Sequence, residues 1–196
     1  PFTPTDANII SSWDTISSEE QTNYLYKMWR NKAVQNTYEP GSTFKTASIM
    51  IALEDGKIDV NKVVDCAPGI VKMHGRNMKD HNWHKGGYKE LKVEDILGQS
   101  SNIGVSKIID EAYGGNPSAY VDGLHRIGVG IPLNLPFVGR GEPYVPHPKN
   151  KERFWSKPDL PWMSIGYVTM LPPISTLTFY NGIANGGKMV SPLFVK

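Results

Sequence analysis

Residues 1–16 are mostly polar, and Pro1 and Pro4 interrupt any regular pattern there. The first periodic run follows. In "SSEEQTNYLYKMW", Tyr24, Leu25, Met28 and Trp29 recur at three- and four-residue spacing, which predicts a helix with one apolar face buried in a core. Ser17 and Glu20 form a capping-box pair, and Glu19 suits the positive end of that helix. A second helix is predicted from about Ser42 to Glu54, with Ile49, Met50 and Leu53 apolar and Gly56 as its stop. "KIDVNKVVDC" reads as extended. Residues 67 to 90, rich in Gly, His and Lys, read as a loop or short hairpin. Helices are predicted over 93–99, over 102–113 (closed by Gly114 and Gly115) and from the Asn116-Pro117 start towards Arg126. Prolines make 129–161 a long irregular excursion, "PISTLTFYNGIAN" a final helix, and "KMVSPLFVK" the beginning of a strand.

Composition narrows this picture in a few places. The chain has 196 residues, 39% hydrophobic and 20% charged, which fits a folded globular protein rather than a disordered one. The net charge of +2 gives no basis for expecting nucleic acid or an anionic membrane as partner. Cys66 is the only cysteine, so no internal disulfide and no cysteine metal cluster can form. No apolar run approaches the roughly 18 residues of a membrane span. The chain begins at Pro1 with no targeting pattern, so it reads as a piece of something longer.

The candidate chemistry begins at "YEPGSTFK". A Ser-x-x-Lys match by itself is expected roughly once by chance in a chain this long. Pro40-Gly41 favours a sharp turn, which puts Ser42 at the start of a helix where unpaired N–H groups favour a developing negative charge. Spacing i to i+3 puts Lys45 on the same face as Ser42. For Lys45 to serve as base it must be neutral, and lowering an amine by about three pKa units corresponds to roughly 4 kcal/mol of destabilised charge. Such a lysine has to be desolvated. "GQSSNIGVS" offers a proton-relay hydroxyl in Ser100 and a donor–acceptor amide in Asn102; the plainer alternative is Ser or Asn as the cap of the following helix.

In this order, "EPGSTFK" and then "SSN" resemble the penicillin-binding proteins, for which Ser-x-x-Lys is part of the signature. The likeness extends through "NKAVQNTYEPGSTFKTASIMIALEDGKID", "GQSSNIGVSKIIDEAYG", "RIGVGIPLNLP" and "LPWMSIGYVTMLPPISTLTFYNGIANGGKMVSP" to the transpeptidase domain of class B members. Glu39 before Pro-Gly leans towards the division (septal) type. The resemblance covers about 31 to 196, with 1–30 a less specific leading segment, and makes 1–196 a partial transpeptidase domain. It implies an α/β (α+β) penicillin-binding protein/serine β-lactamase-like fold, of which this chain holds mainly the helical part.

By that resemblance Ser42 is acylated by the D-Ala-D-Ala end of a peptidoglycan stem peptide, with Lys45 as general base, Ser100 as relay and Asn102 as a substrate hydrogen-bonder. A second stem peptide resolves the acyl-enzyme, and β-lactams acylate the same serine. No metal or cofactor is implied. A membrane glycan polymerase and other division proteins are the implied partners, with no nucleic acid. The implied location is the periplasmic side of the inner membrane, held by an N-terminal anchor outside this chain.

The family's third motif, Lys-Thr/Ser-Gly, does not occur; "GGKMV" comes nearest. In the family it lies past the point where this chain stops, and its strand supplies an oxyanion donor worth on the order of 10²-fold in rate. The expectation is therefore a fragment inactive by itself. The rival functions are a β-lactamase or penicillin sensor of the same fold, for which Glu142 is the loop candidate to activate water, and a non-catalytic docking module. His81 and His84, three apart in "DHNWH", raise a metal reading with Asp80 and His74 as further candidates; a structured loop is favoured over it. Tyr144, Phe154 and Trp155 are read as pinning the proline-rich loop.

Overall fold

A computed structural model describes residues 11–136 and 138–194. Within them the chain forms eight α-helices and two small antiparallel ladders. The helices are α1 (Ser18–Trp29), α2 (Lys32–Gln35), α3 (Lys45–Glu54), α4 (Val93–Gly98), α5 (Asn102–Tyr113), α6 (Pro117–Arg126), α7 (Asp159–Ser164) and α8 (Pro173–Ala184). The strands are β1 (Val63–Asp65), β2 (Ile70–Met73), β3 (Arg76–Lys79) and β4 (Glu90–Lys92). β1 pairs with β4 in the register Val64 opposite Leu91, and β2 pairs with β3. His74 and Gly75, both at positive φ, make the two-residue turn of the β2–β3 hairpin, the backbone twist that such hairpins favour.

Local signals explain most of the helix boundaries. Ser17 and Glu20 form the expected capping box, and Gly56 stops α3 with a φ of +63°. Pro117 is the first residue of α6, where its missing N–H costs nothing. Two expectations fail. No residue of α1 is buried, and Trp29 keeps 43% of its surface, so the apolar stripe of Tyr24, Leu25 and Met28 is only half covered. Periodicity shows that a helix has an apolar face, but not what, if anything, packs on that face. The strand expected after Lys188 does not form through residue 194: a strand needs a neighbouring ladder, and no described strand lies beside it. Residues 195 and 196, the end of that run, lie outside the described residues, as do residues 1–10 of the leading segment.

The core is built around α3 and α5. Ala47, Ile51 and Ala52 of α3, Ile103, Val105, Ile108 and Ile109 of α5, and Tyr120, Val121 and Leu124 of α6 are essentially inaccessible. Small residues let the helices approach. A Cβ on Gly123 would lie 2.5 Å from Ile51 Cγ2, and one on Gly104 would lie 2.7 Å from Ile96. A buried polar knot runs through the same contact. Ser48 Oγ donates to the Ser164 carbonyl at 2.7 Å and accepts from Tyr120 Oη at 2.8 Å, tying α3 to α6 and to the end of α7. Burial pushes the Tyr120 phenol well above its ordinary value, so it stays a neutral donor.

This packing predicts opposite outcomes for two glycine substitutions. Gly98→Ala, at the open end of α4, raises the free energy of unfolding in urea by about 0.5 kcal/mol through helix propensity. Gly123→Ala drives a methyl into Ile51 and lowers stability by about 1 kcal/mol, since overpacking of about 1–3 kcal/mol exceeds the propensity gain. Equilibrium unfolding that placed both variants above wild type would show the α3–α6 contact to be looser than described.

Candidate active site

Ser42 lies in a 3-10 turn, Gly41–Phe44, that leads directly into α3. The expected helix start is thus shifted: Ser42 precedes the α-helix, and Lys45 is its first residue. With three residues per turn in a 3-10 helix, positions i and i+3 stack, which keeps Ser42 and Lys45 on one side. The turn is braced from two directions. Gly41 at φ +56° donates its N–H to the Gly166 carbonyl at 3.0 Å. Gly166, at φ +83°, packs so closely that a Cβ there would stand 2.1 Å from the Gly41 carbonyl oxygen. Tyr38 and Leu171 exchange backbone hydrogen bonds of 3.0 and 2.9 Å. Glu39 Oε1 accepts the Val168 N–H at 2.9 Å, and Val168 holds a φ of +67°, a region that β-branched residues rarely occupy. On the other side, Tyr180 of α8 donates its hydroxyl to the Thr43 carbonyl at 2.8 Å and lies 2.9 Å from Thr46 Oγ1.

Lys45 is 2% exposed. Its Nζ donates to the Ser100 carbonyl at 2.5 Å and to Ser100 Oγ at 3.0 Å. Burial pushes the amine down to about 8, with the negative charge of Asp80 acting in the opposite direction. Ser100 sits at φ +54°, a left-handed conformation that turns both of its oxygens onto the same amine. Ser42 Oγ makes no hydrogen bond to Lys45 Nζ among the described residues, and the serine is exposed.

The helix cap considered for the "SSN" stretch falls on Ser101, whose Oγ accepts the Gly104 N–H at 2.9 Å. Ser100 and Asn102 are therefore left to other contacts. Asn102 donates its side-chain amide to the Lys79 carbonyl at 2.7 Å. The structure thus brings Lys45 and Ser100 together, holds Asn102 two residues on against the Lys79 carbonyl, and sets Ser42 one turn from Lys45.

The residues weighed for metal binding point to different places. His81 packs edge-on against Tyr88, His84 against Trp83, and His74 pairs with Asp110 at 2.8 Å. Asp80 is buried under the "SSN" loop, where Oδ2 accepts from Ser101 Oγ at 2.9 Å. Burial raises the Cys66 thiol above its ordinary value. Tyr144 pairs with Met170 through the backbone and Trp155 packs on the core, while Phe154 is 87% exposed and pins nothing. Gly166 and Val168 escape a sequence reading, and so does the place of Asp80 under the "SSN" loop, since the sequence offers that residue only as a metal candidate. The Gly in "SIGY" signals a turn, but no local pattern names its partner 129 residues upstream for the neighbouring Val168, or the loop above Asp80.

Known proteins share this arrangement of elements. A probable peptidoglycan D,D-transpeptidase PbpC of Pseudomonas aeruginosa is 32% identical over 92% of this chain, and the peptidoglycan D,D-transpeptidase FtsI of Escherichia coli strain K12 is 34% identical over 81%. The chain spans 30% and 25% of those two relatives. The transpeptidase domain of Burkholderia pseudomallei penicillin-binding protein 3 superposes with a TM-score of 0.72 at 25% identity, covering 83% of this chain and 46% of that one. A peptidoglycan glycosyltransferase from Burkholderia ambifaria gives 0.73 at 25% identity, over 85% and 49%. The helix-rich architecture of this chain agrees with the α/β transpeptidase fold expected from the motifs. Residues 9–196 match the model of the penicillin binding protein transpeptidase domain, and the chain belongs to that family.

Proposed function

We propose that these residues carry the acylating side of a peptidoglycan D,D-transpeptidase, with Ser42 as nucleophile, Lys45 as general base, Ser100 as proton relay and Asn102 as a hydrogen-bonder of the stem peptide. The observation that carries this reading is the buried Lys45 amine, its pKa lowered to about 8 and its Nζ bonded to Ser100, one turn from an exposed serine. At pH 7 an amine with a pKa of about 8 is neutral in about one molecule in ten, against fewer than about one in a thousand for an ordinary lysine.

In the proposed reaction Lys45 Nζ takes the Ser42 hydroxyl proton as Oγ attacks the carbonyl between the two terminal D-alanines. The amide C–N bond breaks, and the proton passes from Lys45 through Ser100 Oγ to the departing D-alanine amine. An amine of a second stem peptide then attacks the ester, forming the cross-link and returning the proton to Ser42. Penicillin, an amide in a strained ring, acylates the same oxygen. Ser42 already stands clear of competing hydrogen bonds, and a loose nucleophile–base contact without substrate is common for such pairs.

The division type is the subtype proposed, on Glu39, with a glycan polymerase and other division proteins as partners. The proposed location is outside the cytoplasmic membrane, on an anchor beyond these residues; no helix among the described residues is long and apolar enough to cross a membrane. A hydrolytic rival needs a carboxylate at the acyl-enzyme. Glu142 instead pairs with Arg140 at 3.0 Å and bonds to none of Ser42, Lys45 or Ser100.

Mass spectrometry after incubation with penicillin tests the reading. The intact gene product containing these residues gains one penicillin, its Ser42→Ala variant gains none, and residues 1–196 alone gain none because the Lys-Thr/Ser-Gly strand is lacking. An adduct that survives Ser42→Ala would sink the assignment; an adduct on residues 1–196 alone would show that Ser42 and Lys45 are activated without that strand. The acylation rate rises with pH through a midpoint near about 8, because the reactive form is the neutral lysine and its folded-state pKa is lowered. A flat profile between pH 6 and 9, measured by stopped flow, would remove Lys45 as base.

Ser100 is tested by a pair of substitutions. Ser100→Gly keeps the left-handed backbone and loses only the hydroxyl, whereas Ser100→Ala also keeps the conformational strain. Both lower acylation on the order of 10²-fold if the hydroxyl relays the proton. A Ser100→Gly variant at wild-type rate would transfer the role to the Ser100 carbonyl.

A further inference from the structure

Asp80 follows β3 directly and is 1% exposed. A buried carboxylate is costly unless charge or hydrogen bonds compensate it. Here Oδ2 accepts from Ser101 Oγ at 2.9 Å and Oδ1 accepts the Ile103 N–H at 3.0 Å. The residue before it, Lys79, offers its carbonyl to the Asn102 side chain at 2.7 Å. Two consecutive residues of one hairpin therefore hold three consecutive residues of the loop and helix start that carry the "SSN" stretch.

The residue left just outside this clamp is Ser100. Its φ of +54° is unfavourable for serine by roughly 1–2 kcal/mol and persists only where neighbouring contacts enforce it. Ser101 is anchored on its C-terminal side and the Lys45 amine on the other, so Ser100 has no freedom to relax to an ordinary backbone. We infer, on the footing of the transpeptidase reading above, that Asp80 is a positioning residue of the reaction: acting through Ser101 and Ile103, its carboxylate holds Ser100 and Asn102 in register with Lys45.

Asp80 also acts at a distance. It is the charged group whose field bears on Lys45, and it favours the ammonium form against the effect of burial. The titratable groups facing Asp80 are Lys45 from α3, Cys66 from the segment after β1 and Tyr88 from the segment before β4. The thiol and the phenol are both held above their ordinary values, hence neutral at pH 7, while Lys45 titrates near about 8. Ser100 presents only neutral oxygens to the amine. The carboxylate thus makes the base stronger and less often free, and removing its charge shifts that balance in one direction. That field acts whatever Asp80 holds, so the clamp itself is read from the acylation plateau and not from the midpoint.

The test measures acylation by a fluorescent penicillin from pH 6 to 10 on the intact gene product, for wild type, Ser42→Ala, Asp80→Asn and Ser101→Ala, with thermal unfolding of each. Asp80→Asn keeps the shape and loses the charge. Its acid-limb midpoint moves below that of wild type, and its plateau rate falls on the order of 10- to 100-fold as the relay loses register. Asp80→Asn with a wild-type plateau overturns the inference, whatever its midpoint. Should Asp80→Asn fail to fold, Ser101→Ala decides: a plateau lowered at least about 10-fold with an unchanged midpoint supports the clamp, and a wild-type plateau overturns it. Wild type that takes no Ser42-dependent label overturns the transpeptidase reading and this inference together, whereas labelled wild type with an indifferent Asp80→Asn sinks the inference alone.

Discussion

Everything at this site depends on where one amine is placed. Lys45 carries its charge at the tip of a flexible stem that normally reaches water. Here the stem runs through a packed helix contact and the tip meets a carbonyl and a hydroxyl, both neutral. A neutral acceptor rewards a hydrogen-bond donor in either protonation state but does little to repay the desolvation of an ammonium. The result is a lysine that keeps a fixed position as it loses its proton. A direct ion pair would have fixed it equally well and kept it charged. Asp80 lies at the intermediate setting, near enough to moderate the shift and bonded elsewhere.

Around that amine, the polypeptide is repeatedly held in conformations it would not adopt alone. Gly41, Ser100, Gly166 and Val168 all lie at positive φ, and two of them carry side chains. Each is held by a bond from another part of the chain: Gly166 under Gly41, Glu39 on the Val168 N–H, Lys45 on Ser100. Such strain is sustained where the surroundings over-determine it, and functional sites are where it concentrates. The hairpin, the Ser42 turn and the "SSN" loop are three irregular pieces braced by regular helices behind them.

What the sequence discloses and what it withholds divide along range. The capping box at Ser17 and Glu20, the Pro117 start of α6 and the stop at Gly56 are decided within one turn of helix, so they can be read directly. Ser42, Lys45, Ser100 and Asn102 are legible as a pattern of types and spacing. The need for a desolvated Lys45 follows from chemistry, while the residues that desolvate it do not. Asp80 illustrates the limit: an aspartate after a short strand has no periodic signature, and its partners lie 21 and 23 residues on. Helix α1 fails in the opposite way, since its stripe is real and its partner is not specified by periodicity.

The contact between the Glu39 carboxylate and the Val168 N–H joins residues 129 apart in the chain. On a ribosome the Ser42 turn emerges long before the segment that braces it. Until residues 166–171 follow, Gly41 and Glu39 lack their hydrogen-bond partners, and Ser42 has no fixed direction. The Ser42 turn is thus among the last parts of these residues to take shape during synthesis, so a nascent chain carries the serine for most of its production without being able to aim it.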